Sequence, residues 1–160
     1  MRPAPVVVRL DMVQRRAAYD AVRIKRAWVA EHKAVSVFSA VDAGSIRYDN
    51  EVCAIAAEIA AGIATGRRWL GAKPGTRNEG DLEGGVEVHH TLPPRGRLHI
   101  RPEDADERPY VLVTGRPPTF TVRGWMLGAE AKRPEFWWPN APRRPCWAVG
   151  QDCLLDIAKL

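Results

Sequence analysis

Two acidic residues, Asp81 and Glu87, stand close together in the stretch NEGDLEGGVEVHHT, residues 78–91, with Gly84 and Gly85 between them and His89 and His90 just after. Carboxylates at a turn and on the following strand are a common way to hold a hard cation, because such ions take oxygen ligands. The gap between the two acids is short, so the glycine pair must make a tight hairpin for both to face one point. Glu83 offers an alternative acidic ligand at that turn. The same residues also fit a polar turn followed by a solvated strand face.

A further carboxylate, Glu58, is the only acidic or basic residue from Val52 to Gly66. If that segment is helical, Glu58 lies roughly 100° from the centre of the apolar stripe, at its edge. A carboxylate there is costly to desolvate unless it meets a cation, a metal or hydrogen-bond donors. An arginine of the sheet and a place in a site are both open to it. Other constellations are thinner. His89, His90 and His99 with Cys146 or Cys153 could supply zinc ligands, but neighbours on a strand point to opposite faces, and the cysteines lack CxxC spacing. There is no G-x-S-x-G elbow, no P-loop and no GxGxxG.

The elements that must position these residues follow from periodicity and punctuation. Residues 1–10 read as an extended arm, since Pro3 and Pro5 forbid an early helix. Residues 11–31 read as a helix capped by Asp11, with Ala18, Val22 and Val29 at helical spacing. Its exposed positions carry Arg15, Arg16, Arg23, Lys25 and Arg26, either a solvated basic face or a phosphate-contacting one. Residues 34–41 fit a strand or a helical turn. A second helix is expected from Asp49 or Asn50 to about Thr65, stopped by Gly66. Val52, Ile55, Ile59 and Ile63 make its stripe, and the alanines elsewhere suggest packing on more than one side.

Residues 67–80 are a basic, glycine-rich connection that Trp69 and Leu70 anchor to the core. Strands are expected at 86–91, 97–101, 110–114 and 120–127, with a last strand or turn within 146–155. A five-residue loop, 92–96, makes the first two an antiparallel pair. That register sets His89 opposite His99, Val88 opposite Ile100 and Glu87 opposite Arg101. Val86, Val88, Leu98 and Ile100 then share an apolar face, and Glu87, His89 and His99 a polar one. Arg101 becomes an innocent partner for Glu87.

With 160 residues, 46% hydrophobic and 27% charged, the chain suits one globular domain, residues 1–160. Residues 1–45 form the arm and basic helix, and residues 46–160 the helix-plus-sheet core. No apolar run is long enough to span a membrane, and the N-terminal valines are too few for a secretory signal. Three cysteines, Cys53, Cys146 and Cys153, are few and odd in number, which fits a reducing compartment, the cytoplasm, better than a disulfide scaffold. A net charge of +5 mildly favours polyanion partners. The tail AKRPEFWWPNAPRRPCW interleaves Lys132, Arg133, Arg143 and Arg144 with Phe136, Trp137, Trp138 and Trp147. That mixture suits stacking on unpaired bases with phosphate contacts, or tryptophans packed on the sheet beneath solvated arginines.

An acidic helix residue, an aspartate at a turn and Glu-x-Lys on the next strand form the signature that this pattern resembles: the PD-(D/E)xK nucleases, with the restriction-endonuclease-like fold. Here Glu58, Asp81 and Glu87-Val88-His89 stand at those places. The segments RLHIRPEDADERPYVLVTG and PTFTVRGWMLGAEAKRPEFWW also look like phage- and prophage-encoded proteins related to that fold, and the resemblance covers roughly residues 50–155. It implies an α+β fold, N-terminal helices on a mixed, mainly antiparallel sheet of about four to five strands. It implies metal-dependent hydrolysis of DNA phosphodiesters, with Mg²⁺ or Mn²⁺ held by Asp81, Glu87 and the Val88 carbonyl, Glu58 in support, and DNA as partner; a homo-oligomer is compatible with it. His89 occupies the lysine position, a departure that leaves a base but no permanent positive charge at pH 7. Lys73 and Lys132 are candidates to supply that charge from elsewhere. The alternative is a binding module for nucleic acid or protein on the same fold, without catalysis.

Overall fold

The computed structural model describes residues 4–32, 45–72 and 79–160. The expected element at residues 34–41 and Lys73 lie outside the described residues.

The arm begins with a strand, β1 (Val6–Arg9), and helix α1 follows (Met12–Glu31). Asp11 caps α1 reciprocally: its carboxylate accepts the Gln14 N–H at 2.8 Å, and the Gln14 side chain accepts the Asp11 N–H at 2.8 Å. This capping box satisfies two donors that a helix start otherwise leaves open. Helix α2 (Ser45–Thr65) starts earlier than its sequence signals suggest and ends at Gly66, whose φ of 67° is the usual left-handed stop. Val52, Ile55 and Ile59 are buried, as are Ala56, Ala57, Ala60 and Ala61, because α2 packs between α1 and the sheet. Ile63, expected in the stripe, is exposed. The alanines let both neighbours approach closely.

The sheet has four strands in the order β1-β5-β4-β2, where β2 is Glu87–Thr91, β4 Pro109–Arg116 and β5 Thr119–Leu127. β1 and β4 run antiparallel to β5, and β2 runs parallel to β4. A second, antiparallel sheet joins β3 (Leu98–Ile100), β7 (Cys146–Val149) and β6 (Trp137–Trp138) in the order β3-β7-β6. A short helix, α3 (Gly128–Ala131), follows β5. The expected hairpin of the first two strands is therefore not formed. Glu87 pairs with Tyr110 and His89 with Leu112, while β3 pairs through Leu98 with Val149, His99 with Ala148 and Ile100 with Trp147. Alternation alone fits either partner. The choice falls to a second core, where Leu98 and Ile100 pack with Tyr110, Leu112, Met126, Val149 and Leu154. The Gln151 side chain fixes the intervening loop by donating to the Pro94 and Gly96 carbonyls at 2.8 and 2.9 Å.

β4 is apolar on both faces, Val111 and Val113 toward the helices and Tyr110 and Leu112 toward the second sheet. β2 is an edge strand with Val88 on the helix side, so Glu87, His89 and Thr91 share the opposite face. Among the described residues no helix is long and apolar enough to cross a membrane.

Candidate functional site

The tight turn needed between Asp81 and Glu87 is present. The Asp81 and Leu82 N–H groups both donate to the Val86 carbonyl, at 2.9 and 3.0 Å. Gly84 and Gly85 take φ of 85° and 73°, which side chains rarely adopt. The hairpin is docked on the stretch after α2: Leu70 N–H donates to the Asp81 carbonyl at 3.0 Å, and Glu83 N–H to the Arg68 carbonyl at 2.9 Å. Trp69 and Leu82 form an antiparallel bridge there.

This docking sets the Asp81 side chain at the outer edge of β2, where its carboxylate accepts the Val88 N–H at 2.7 Å. An open strand edge is thereby capped by an acid. The Val88 carbonyl leaves the strand on that same side. Burial raises Asp81 to about 6, against the Val88 hydrogen bond that lowers it, and the adjacent Glu87 carboxyl raises it further. Glu58 of α2 faces the same place. Burial and the Asp81 charge push it up to about 8, although the Trp69 indole N–H donates to it at 2.9 Å. Glu87 is ion-paired with Arg108, not with Arg101 across a hairpin.

Glu58, Asp81 and Glu87 thus act on one another, although they come from a helix, a turn and a strand. The lysine whose charge lowers both Glu58 and Asp81 is Lys25 of α1. The sequence pattern places Lys25 only among the exposed cations of that helix. One further signal is available: it stands three and four positions after the buried Val22 and Ala21, at the rim of the face turned to α2. Trp69, expected as an anchor alone, also holds Glu58. Glu83 is exposed and is not among the charges acting on Glu58 or Asp81.

His89 stands apart from this cluster. Its ring lies edge-on against Tyr110, with centroids 5.5 Å apart. Burial lowers its pKa, and the charges that act on it are Asp104, Arg101 and His99. His90 points to the helix side, against Phe120, with its Nε2 at 2.7 Å from the Gly115 carbonyl oxygen. The two histidines therefore do not join, and among the described residues no three His, Cys, Asp or Glu side chains are grouped as metal ligands. All three cysteines are free thiols. At the carboxylate cluster, a cation would draw on Asp81, Glu87 and a backbone oxygen and keep the rest of its shell as water, a mode that suits Mg²⁺. Asp81 and Glu87, whose carboxyl groups share a hydrogen bond, offer the oxygen donors such an ion takes, while burial first and the neighbouring charges second raise Glu58 and Asp81.

The cations of the tail have separate fates. Lys132 donates to the Pro102 carbonyl at 3.3 Å, the Asp104 carbonyl at 2.5 Å and the Asp106 carboxylate at 2.6 Å, which commits its charge to the 102–106 loop. Arg133 pairs with Glu135 at 3.3 Å and lies over Phe136. Arg144 pairs with Glu103 at 2.5 Å. Arg143 is exposed. Trp147 is half-buried against the second core, Trp137 packs on it at 4.7 Å, and Trp137 and Trp138 are both exposed.

No protein-family model, no curated protein and no solved structure matches this chain.

Proposed function

We propose that the protein is a metal-dependent DNA nuclease of phage or prophage origin, with a restriction-endonuclease-like arrangement of its helix, turn and strand acids. One observation carries this reading: Glu58, Asp81 and Glu87 come from three segments to act on one another at the edge of β2, with the Lys25 charge on Glu58 and Asp81 and Arg108 paired to Glu87. An Mg²⁺ or Mn²⁺ ion bound by Asp81, Glu87 and the Val88 carbonyl would lower the pKa of a bound water and neutralise charge on the scissile phosphate. The chain's own residues do the rest. Arg108 orients Glu87, and the Val88 N–H orients Asp81. Trp69 holds Glu58 beside them as a group able to keep or give up a proton near neutral pH. Lys25 would supply the permanent positive charge that His89 lacks and would hold a phosphate oxygen.

The test is cleavage of supercoiled plasmid and single-stranded DNA with Mg²⁺, with Mn²⁺ and with EDTA. Asp81→Ala and Glu87→Ala are expected to fall to background, and Lys25→Ala to lose about 10²–10³-fold. His89→Ala is expected to retain cutting, since its ring packs on Tyr110 and not on the acids. Metal-dependent cutting that survives both acid substitutions removes this site from consideration. The second reading, a binding module without catalysis, is favoured by the histidine at the strand position. It gains if no metal supports cutting while DNA binding stays salt-sensitive.

A further inference from the structure

Arg95 and Arg97 differ from the tail cations. Lys132, Arg133 and Arg144 each have a carboxylate partner. Arg95 and Arg97 have no ion pair among the described residues, and both line an open cleft of about 530 Å³. That size falls within the ~300–1,000 Å³ of small-molecule sites. Trp138 and His99 form its aromatic wall, their ring centroids 6.0 Å apart and roughly edge to face. Trp138 keeps 37% of its surface exposed, a large apolar area for an indole not needed by either core.

The cleft is a built feature. The Gln151 side chain holds the loop that carries Arg95 by two hydrogen bonds, and Gly96 N–H closes a turn onto the Pro93 carbonyl at 2.9 Å. Thr91 forms the near wall, so tightly that a β-carbon on Gly96 would meet its Cγ2 at 2.1 Å. Thr91 is also the last residue of β2 and shares the face of Glu87, four residues back. At about 3.3 Å per residue the two are about 13 Å apart along the strand. That is about four nucleotides at the 3.4 Å rise of a stacked strand.

We propose that this cleft binds one unpaired base of a single-stranded nucleic acid, with its face on the Trp138 indole and its flanking phosphates on Arg95 and Arg97. The chemistry selects the occupant. Two unpaired guanidinium groups call for a polyanion, and an open indole beside them calls for a flat π-face that a paired, stacked base hides. The proposal deepens the nuclease reading by giving the strand a second point of attachment down β2. The binding itself does not depend on cleavage.

The test uses the full chain in EDTA and a labelled oligothymidylate of about 12 nucleotides, followed by anisotropy. Trp138→Ala is expected to weaken binding by about tenfold or more, and Trp138→Phe to keep most of it. Arg95→Ala with Arg97→Ala is expected to flatten the slope of log K against log salt by about 1.4, about 0.7 for each phosphate no longer neutralised. Thermal melts of each variant show that the fold is kept. Unchanged binding in Trp138→Ala overturns the proposal, and so does equally tight binding of blunt duplex or of heparin. Plasmid cutting by the same preparations separates the two ideas. Trp138-dependent binding without metal-dependent cutting keeps the cleft and removes the nuclease. Cutting with Trp138-independent binding does the reverse.

Discussion

Glu58 is raised from 4.5 to about 8, chiefly by burial and then by the Asp81 charge. Between those two values the folded protein holds a proton that the unfolded chain has released. Stability from this group is therefore full below about pH 4.5 and is lost as pH rises through about 8. Asp81, raised from 3.8 to about 6, acts in the same sense over a lower window. In EDTA the melting temperature is expected to fall from pH 5 to pH 8. Glu58→Gln keeps an acceptor for the Trp69 indole and cannot ionise, so it should flatten that fall. A divalent cation that binds only the folded state should raise the melting temperature of the wild type at pH 8. An unchanged pH slope in Glu58→Gln would place the linkage elsewhere. The acids themselves are legible from residue type, because a single carboxylate in an apolar helix and two acids about a glycine pair stand out locally. Lys25 is not, since its relation to them depends on how α1 crosses α2, which no local pattern records.

At the scale of elements, the hairpin that carries Asp81 decides whether the site exists. Two of its glycines allow a graded test. A β-carbon on Gly80 would lie 2.7 Å from the Gly85 carbonyl carbon and 2.9 Å from the Val86 oxygen, at a φ of 80°. One on Gly85 meets nothing within 4 Å, and only its φ of 73° is unfavourable. Gly85→Ala should therefore cost about 1–2 kcal/mol from left-handed strain alone. Gly80→Ala must also push the strand, so it should cost more and lower the melting temperature further, and on the proposed nuclease reading it should lower cleavage too. Equal effects would mean that the hairpin tolerates displacement. The α1 cap offers a simpler check: Asp11→Ala should cost about 1 kcal/mol in a denaturant titration, without touching the acids. Helices, caps and this hairpin follow from short-range chemistry, so neighbouring residues in the sequence suffice to read them. The partner of β2 is different. His89 and Val88 alternate equally well against β3 or β4, and the decision comes from residues as distant as Val149 and Gln151.

For the whole molecule, β4 is the element that the two cores share. Its Val111 and Val113 close the core over the helices, and its Tyr110 and Leu112 close the one under the second sheet. Neither core can open without exposing one face of the same strand, so both should unfold together. Trp125 packs on the helix-side core and Trp147 on the other, which lets tryptophan emission report both while far-UV circular dichroism follows the helices. Urea unfolding by the two probes should give one coincident transition. Leu112 is fully buried, and Leu112→Ala should cost about 2–5 kcal/mol. That loss should move both curves together, although the helices touch only the opposite face of β4. A variant that shifts the tryptophan signal and leaves the helical signal in place would show that the second sheet is a separate unit. The strand joining the cleft at Thr91 to the acids at Glu87 would then rest on a support that can loosen without unfolding the helices.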